Sequence, residues 1–469
     1  MREHTPCFLC LAPADNTCKH CNQVAFCNEN HLAMHRVEGR CLPYMVEERE
    51  GKGKCIIATR DINQKEMILF DRPILVSPNT KSKAQCLQCS KLCDGGYKCP
   101  VCNFPMCDET CASGDVHQLE CEVFARVDFE ADVEDPKVPD DHYAAILPLR
   151  CIRLKEKDPE KWKLFQSFQS HCSERKQDNQ KLWDYHEEHA VEFVRELCEY
   201  GEEVTGEEIH RMIGIMSVNS LSIELGEGYG EEMGFYPAFS NINHSCLANA
   251  KPVKRNDKSV TVMAKTEIKK GEEITFQYVV EIQPTRLRRE LLNRKWFFLC
   301  SCNRCSDRTE CGTFLGALLC RDNNCGGPVV PDSPTKASTD FSCLECNHVV
   351  KGEDAIKIMN EAEINTRKKD VSDHVVAHLE KFLAKYASFL HPYNYVMASM
   401  KMKLGCLYGN CPDYSLTNMN KAMMTRKLQV CQESLVPLAI LDEGQVGENK
   451  WKGRLEKEIS KTQYLLENM

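Results

Sequence analysis

Thirty cysteines in a chain of 469 residues restrict what this sequence can become more than any other feature. Six intervals have the form Cys-x-x-Cys: Cys7/Cys10, Cys18/Cys21, Cys86/Cys89, Cys99/Cys102, Cys302/Cys305 and Cys343/Cys346. The opening segment, MREHTPCFLCLAPADN, has no uninterrupted apolar core of the kind a secretory signal needs, so the chain is expected in the cytosol or nucleus. Reducing conditions there disfavour structural disulfides, which makes thiolate metal sites the first alternative. A Cys-x-x-Cys knuckle presents two soft ligands at the bite that zinc accepts, and zinc takes four in a tetrahedron.

Composition narrows the function classes. At 42% apolar and 28% charged residues, with no apolar run of the roughly 18 residues a membrane span requires, the chain is not expected to cross a bilayer. Sixty basic residues against 69 acidic ones leave a net charge of -9, which argues against gripping nucleic acid through its phosphates. At roughly 100 to 200 residues per domain, the length suits about three structural units.

The pattern along the chain changes several times. Residues 1–43 and 86–121 repeat one order of Cys and His. Between them, CIIATRDINQKEMILFDRPILV reads as two strands and a turn. From about 140 to 215 apolar positions recur at helical spacing, as in Trp183, His186, Ala190, Val194, Leu197 and Cys198. Thr205 with Glu208 has the form of a capping box and places a helix start there. Strands are expected again around 259–279. Residues 300–350 are Cys-rich, and helical periodicity dominates from 353 onward, for example at Val375, Leu379, Phe382, Leu383, Tyr386, Phe389 and Leu390, with breaks near His391-Pro392 and Cys411-Pro412.

The second module offers Cys86, Cys89, Cys99, Cys102, Cys107, Cys111, His117 and Cys121, enough for two four-coordinate zinc ions. Its order resembles a MYND finger. That resemblance implies interleaved sites, Cys86, Cys89, Cys107 and Cys111 for one ion and Cys99, Cys102, His117 and Cys121 for the other. The first module, Cys7, Cys10, Cys18, Cys21, Cys27, His31, His35 and Cys41, resembles a variant of the same finger, with His31 where the family usually has Cys and an unusual gap before Cys41. Cys320, Cys325, Cys343 and Cys346 fit a zinc ribbon. The bland alternative is buried free thiols and surface histidines. With four protein ligands each, such sites leave no position for an activated water, so zinc hydrolysis is not the expected function.

The segment FSNINHSCLANA at 239–250, followed by GEEITFQY and FFLCSCNRC, resembles the SET methyltransferase core and its post-SET tail. With a MYND finger inserted after the first strands, nearly the whole chain resembles the SMYD family of protein-lysine methyltransferases, and the extra N-terminal finger is similar to its arthropod branch. The resemblance implies an α+β fold: a β-rich SET core with an inserted MYND zinc finger, an N-terminal MYND finger, a post-SET zinc site, a zinc ribbon and a helical repeat-like C-terminal domain. Its expected segments are a variant finger at 1–43, SET at 44–80, the second finger at 86–121, a helical SET insert at 122–215, SET again at 216–280, post-SET at 281–308, the ribbon at 309–350 and the helical domain at 351–469.

The same resemblance implies S-adenosylmethionine as cofactor and about six structural zinc ions. Asn243 and His244 match its cofactor-binding pair, flanked by Ser240 and Ile242. Asn219 and His171 match further contacts, and Phe298 the aromatic against adenine. Lys52, Gly53 and Lys54 form the cofactor loop. Tyr278 matches the catalytic tyrosine, which also faces the cofactor, and Cys246, Cys300, Cys302 and Cys305 match the post-SET zinc ligands.

Three positions depart from the pattern: Cys55 replaces the second glycine of Gly-x-Gly, Ala248 a proline, and Trp296 a tyrosine. A Cβ at the glycine position restricts both backbone angles and close approach. Two readings therefore stand: an active enzyme acting on lysines of histone or other proteins, or a catalytically weak scaffold that recruits transcriptional regulators through proline-containing peptides at its fingers. Direct nucleic-acid binding is not expected. Acidic residues such as Glu353, Asp354, Glu361 and Glu363 suit a basic peptide, or simply form a solvated helix face.

Overall fold

The computed structural model describes residues 5–9, 12–14, 16–22, 24–37, 39–223, 225–366, 375–442 and 450–468. Contacts gather the chain into two compact units, one comprising Met1–Asn243, Asn249–Thr275 and Lys295–Phe297, the other His244–Ala248, Phe276–Arg294 and Phe298–Met469. No helix among the described residues is long and apolar enough to cross a membrane.

In the first unit Cys55, Ile56, Ile57 and Ala58 are all buried, as suits a strand covered on both faces. Gly53–Ala58 pairs antiparallel with Tyr44–Arg49, and its Ile56 and Ile57 also lie opposite Ile274 and Glu273. Met67–Asp71 pairs with Val260–Ala264, which pairs in turn with Ala250–Lys254. Leu75–Pro78 joins Glu232–Phe235 and Leu221–Ile223. Where the sequence reads as two strands and a turn between Cys55 and Val76, three strands form, each in a different sheet. Alternation marks a strand; it does not choose its partner.

Helices fill the middle of this unit. Thr205 caps Gly206–Asn219 through the expected box, its Oγ1 accepting from Glu208 N (3.1 Å) and its N–H donating to the Glu208 carboxylate (2.9 Å). Ala190, Val194 and Cys198 are fully buried as the periodicity requires, yet Leu197 is 41% exposed. The cause is local: Glu187–Leu197 is wound as a π-helix, with Cys198 N–H bonded to Phe193 O, five residues back. The wider winding turns Leu197 off the face that an α-helical count assigns to it.

The second finger and the helical insert share one core, in which Phe104 stacks on Phe124 with centroids 5.5 Å apart. Arg150, fully buried, ties them: it donates to Glu120 (2.6 and 2.9 Å) and to the carbonyls of Val76 and Leu87 (both 2.7 Å). Arg150→Met strands the Glu120 carboxylate without a counter-charge, a change that costs about 3–5 kcal/mol. Urea denaturation should show this loss, with part of it recovered in the double variant Arg150→Met/Glu120→Leu.

In the second unit, Leu318–Leu319, Pro328–Pro331, Phe341–Cys343 and Val349–Val350 form a small antiparallel sheet. The helices Gly352–Thr366, Val375–Tyr386, Tyr395–Leu407, Lys421–Leu441 and Lys450–Glu467 follow. Leu379, Phe382, Leu383, Tyr386 and Leu390 enter their shared core, and the Pro392 and Pro412 breaks fall between helices.

Candidate active site and metal centres

Tetrahedral zinc with Zn–S bonds of about 2.3 Å holds its sulfurs about 3.8 Å apart, and each cysteine cluster can be held to that distance. In the second finger Cys89 and Cys107 are 3.5 Å apart at one site, Cys99 and Cys121 3.7 Å apart at the other. The sets Cys86, Cys89, Cys107, Cys111 and Cys99, Cys102, His117, Cys121 each converge within 4.8 Å, as do Cys246, Cys300, Cys302, Cys305 and Cys320, Cys325, Cys343, Cys346. Those last two show separations of 3.5 and 4.0 Å around Cys246, and of 3.6 and 3.8 Å in the ribbon. No disulfide joins any described cysteine. The donor sets therefore fit zinc.

The first finger meets the same test. Cys18, Cys21, His35 and Cys41 converge, and the unusual gap has a simple cause: the hairpin Arg36–Val37/Arg40–Cys41 returns Cys41 to His35. Cys7 and Cys27 approach His31 Nδ1 at 3.3 and 3.2 Å, while Cys10 lies outside the described residues. In the second finger His117 turns Nε2 toward Cys102 (3.6 Å) and has the buried Glu120 carboxylate 3.8 Å from Nδ1. A carboxylate behind a ligating imidazole orients the ring.

Within the first unit the residues expected around the cofactor come together in two groups. In one, Asn243 Nδ2 faces Lys54 O, Cys55 Sγ and Glu273 Oε1, each at 3.1 Å, and Lys52 pairs with Glu273 at 2.7 Å. In the other, Ser240 Oγ donates to Asn219 O (2.7 Å), and Asn219 Nδ2 donates to Gln169 O (2.8 Å), two residues from His171. His171 stacks on Phe297 with centroids 5.1 Å apart. Lys54 reaches Ser167 Oγ at 2.7 Å, and Ile242 is buried.

Cys55 sits in extended strand, fully buried, with its thiol toward Gly53 O (3.6 Å). The left-handed backbone that glycine serves occurs instead at Gly51 and Gly53, with φ of 72° and 69°. A Cβ built on Gly53 meets nothing within 4 Å, so the loop leaves room for a ligand to approach its backbone. Burial, then the Glu273 charge, pushes the Cys55 thiol up to about 11, which keeps it neutral. Burial opposes ionisation of Glu273 itself, but hydrogen bonds from Lys52 and Asn243 outweigh it and hold the carboxyl below its usual range.

His244 and Tyr278 belong to the second unit. The main-chain N–H of Tyr278 donates to His244 Nδ1 (3.0 Å), and His244 Nε2 lies 3.2 Å from Cys246 Sγ. Burial pushes His244 down to about 4, so the ring is neutral, accepting at Nδ1 and donating at Nε2. The Tyr278 ring is flanked by Phe276, His244 and Phe298 at 4.7, 5.2 and 6.5 Å. Fully buried Arg288 donates to Cys246 Sγ (3.2 Å) and Cys305 Sγ (3.5 Å) while paired with Glu310 at 2.7 Å, placing positive charge beside a thiolate cluster.

Sequence reasoning missed the residues that hold these groups. Asn249 Nδ2 donates to Glu273 O and its Oδ1 accepts from Thr275 N, both 2.9 Å, fixing the strand that carries Glu273. Asp71, buried at the end of Met67–Asp71, accepts from Ala238 N (2.8 Å), Phe239 N (2.9 Å) and Arg72 N (2.9 Å) and so pins the turn that presents Ser240. Burial pushes its carboxyl up to about 7 against those three donors. Asp71→Asn turns an amide donor toward one of them, and leaving a buried donor unmade costs about 1–3 kcal/mol. Because the folded value lies above the unfolded one of about 3.9, this group's contribution to stability falls as pH rises from about 4 to 7 and is flat beyond. Urea titrations of both proteins from pH 5 to 8 should show that slope in the wild type only.

The SET-domain family model matches residues 53–279, which contain Asn243, His244 and Tyr278. SET domain-containing protein SmydA-8, isoform A, of Drosophila melanogaster is 28% identical over 364 residues, 75% of each chain. Histone-lysine N-methyltransferase SMYD1 of Homo sapiens is 23% identical over 301 residues, 59% of each chain. Residues 53–279 thus carry a SET domain, and the chain is similar to SMYD proteins over most of its length. Another relative, Histone-lysine N-methyltransferase ASHR1 of Arabidopsis thaliana, is 26% identical over 350 residues, 72% of this chain and 70% of its own. The matched SET region stands in this chain beside the converging Cys/His clusters.

Proposed function

We propose that this protein transfers a methyl group from S-adenosylmethionine to the ε-amine of a lysine in a protein. The observation that carries the reading is the bond from Tyr278 N–H to His244 Nδ1, which joins two parts of the SET signature that lie 34 residues apart. S-adenosylmethionine, when bound, supplies a methyl group on a sulfonium. Asn219, Ser240, Ile242, Asn243, His244 and the loop Lys52-Gly53-Lys54 bind it, with Phe298 as the ring for adenine and His171 as an outer contact. The neutral Cys55 thiol places no anion in that loop.

Tyr278 is the catalytic residue. Its main chain is fixed by His244, so its hydroxyl can hold the lysine amine in line and favour partial positive charge on the methyl group in transit. A free lysine has a pKa of about 10.4, and the apolar rings of Phe276 and Phe298 favour loss of its proton by lowering the local dielectric. The zinc ions are structural, since at the five sites where four donors converge among the described residues all four belong to the protein. Such a set of thiolate sites requires a reducing compartment, cytosol or nucleus.

Tritium-labelled cofactor with a mixture of lysine-containing peptides should yield Nε-methyl-lysine and one S-adenosylhomocysteine per methyl group. Product no higher than the protein-free blank would overturn the reading. As part of the same proposal, the fingers take short proline-containing peptides. An unchanged set of bound proteins after Cys86→Ser and Cys89→Ser, in a chain otherwise folded, would count against that role.

A further inference from the structure

The C-terminal helices line most of a half-open cavity of about 630 Å³, a size in the range of roughly 300–1,000 Å³ that ligand sites occupy. Its apolar wall includes Leu379 and Phe382 from Val375–Tyr386 and Met400 from Tyr395–Leu407, with Trp451 at one side. Lys403 and Arg454 also line it, and no carboxylate does so among the described residues. Both cations are exposed, and neither enters an ion pair among the described residues. Several acids on or beside these helices are engaged with other cations: Glu361 with Lys385 (3.0 Å), Glu363 with Arg286 (3.8 Å), Glu458 with Lys427 (2.5 Å) and Asp442 with Lys452 (2.9 Å). This part of the domain therefore offers an apolar hollow beside positive charge that no carboxylate pairs among the described residues, the Arg454 guanidinium lying over the Trp451 ring (5.8 Å), the reverse of the acidic character that Glu361 and Glu363 suggest in the sequence.

Ile282 is also in the wall. It follows Tyr278 by four residues of the same unit, and four residues of chain reach no more than about 14 Å. The cavity thus lies within a short peptide's length of the catalytic tyrosine.

We infer that the cavity docks a segment of the protein substrate in which an apolar side chain is flanked by carboxylates, about four residues from the lysine offered to Tyr278. The apolar side chain loses its contact with water against Leu379, Phe382 and Met400. The carboxylates meet the Arg454 guanidinium, whose planar fork suits them, and the Lys403 ammonium. The role in substrate choice rests on the methyltransferase reading; the binding itself does not.

Fluorescence anisotropy with the full-length protein at low salt tests it directly. The probes are two fluorescein-labelled peptides with a single acceptor lysine, one with Glu-Leu-Asp about four residues away and the other with Arg-Ser-Arg there. The acidic-apolar peptide should bind about tenfold more tightly, losing the advantage as salt rises. Lys403→Glu/Arg454→Glu should abolish the preference while leaving S-adenosylmethionine binding and the melting temperature unchanged. Equal affinities of the two peptides, or a preference that survives the double variant, would overturn the inference. A protein that shows the preference but methylates neither peptide retains the docking site and loses the catalytic reading. One that methylates both without preference retains catalysis and loses the docking site.

Discussion

Stripping zinc with excess chelator at neutral pH is expected to unfold the first finger and to open the core beneath the second. Structural zinc contributes on the order of 10 kcal/mol or more per site in small finger modules, and the first finger has little to replace it. Its own core is a cluster of rings, Phe8 against Tyr44 at 4.8 Å and against Phe26 at 5.8 Å, with His35 packed on Phe26 at 5.1 Å. His35 is at once part of that core and a ligand, so the two fail together. The second finger shares Phe104, Phe124 and the Arg150–Glu120 pair with the helical insert, so its loss reaches further. At the post-SET cluster, loss of metal frees Cys246 and with it His244 and the Tyr278 main chain. Metal analysis should find about six zinc ions per chain, and chelation should abolish amide-exchange protection first in residues 16–41. Protection unchanged at less than one zinc per chain would contradict the metal assignment.

Tyr278→Phe should lower kcat by at least about a hundredfold, the scale on which removal of one preorganised polar group acts. The ring contacts with Phe276, His244 and Phe298 do not involve the hydroxyl, and the bond to His244 comes from the main chain. The variant should still bind the cofactor, so that the loss falls on kcat and not on cofactor affinity. A variant that methylates at the wild-type rate would remove Tyr278 from the chemistry. One that fails to fold would show that the hydroxyl has a structural duty instead.

How much of this could be read from the sequence depended on whether the signal was local. The zinc ligands carry their own spacing, and even Cys41 falls into place once the short hairpin after His35 is seen. The capping box at Thr205 was equally plain. By contrast Glu273, Asp71, Arg150 and Arg288 act across separations of 22 to 168 residues on groups that no local pattern points to. The strands at Gly53–Ala58 and Met67–Asp71 were recognisable by composition, but apart from the adjacent Tyr44–Arg49 their partners lie some two hundred residues away. Leu197 was misassigned because a π-wound segment departs from the α-helical period. Cys55 looked obstructive when placed on a glycine pattern; in the strand it turns inward, and the positive φ angles fall at Gly51 and Gly53.

Titration calorimetry of S-adenosylmethionine into the wild-type protein, beside Cys55→Gly, bears most directly on whether the SET core is a working cofactor site. Saturable binding of one equivalent by the wild type, with the variant within about threefold of it, is expected, because the buried thiol adds no charge and no bulk on the open side of the loop. Absence of binding by the wild type at millimolar cofactor, with binding restored by Cys55→Gly, would contradict it.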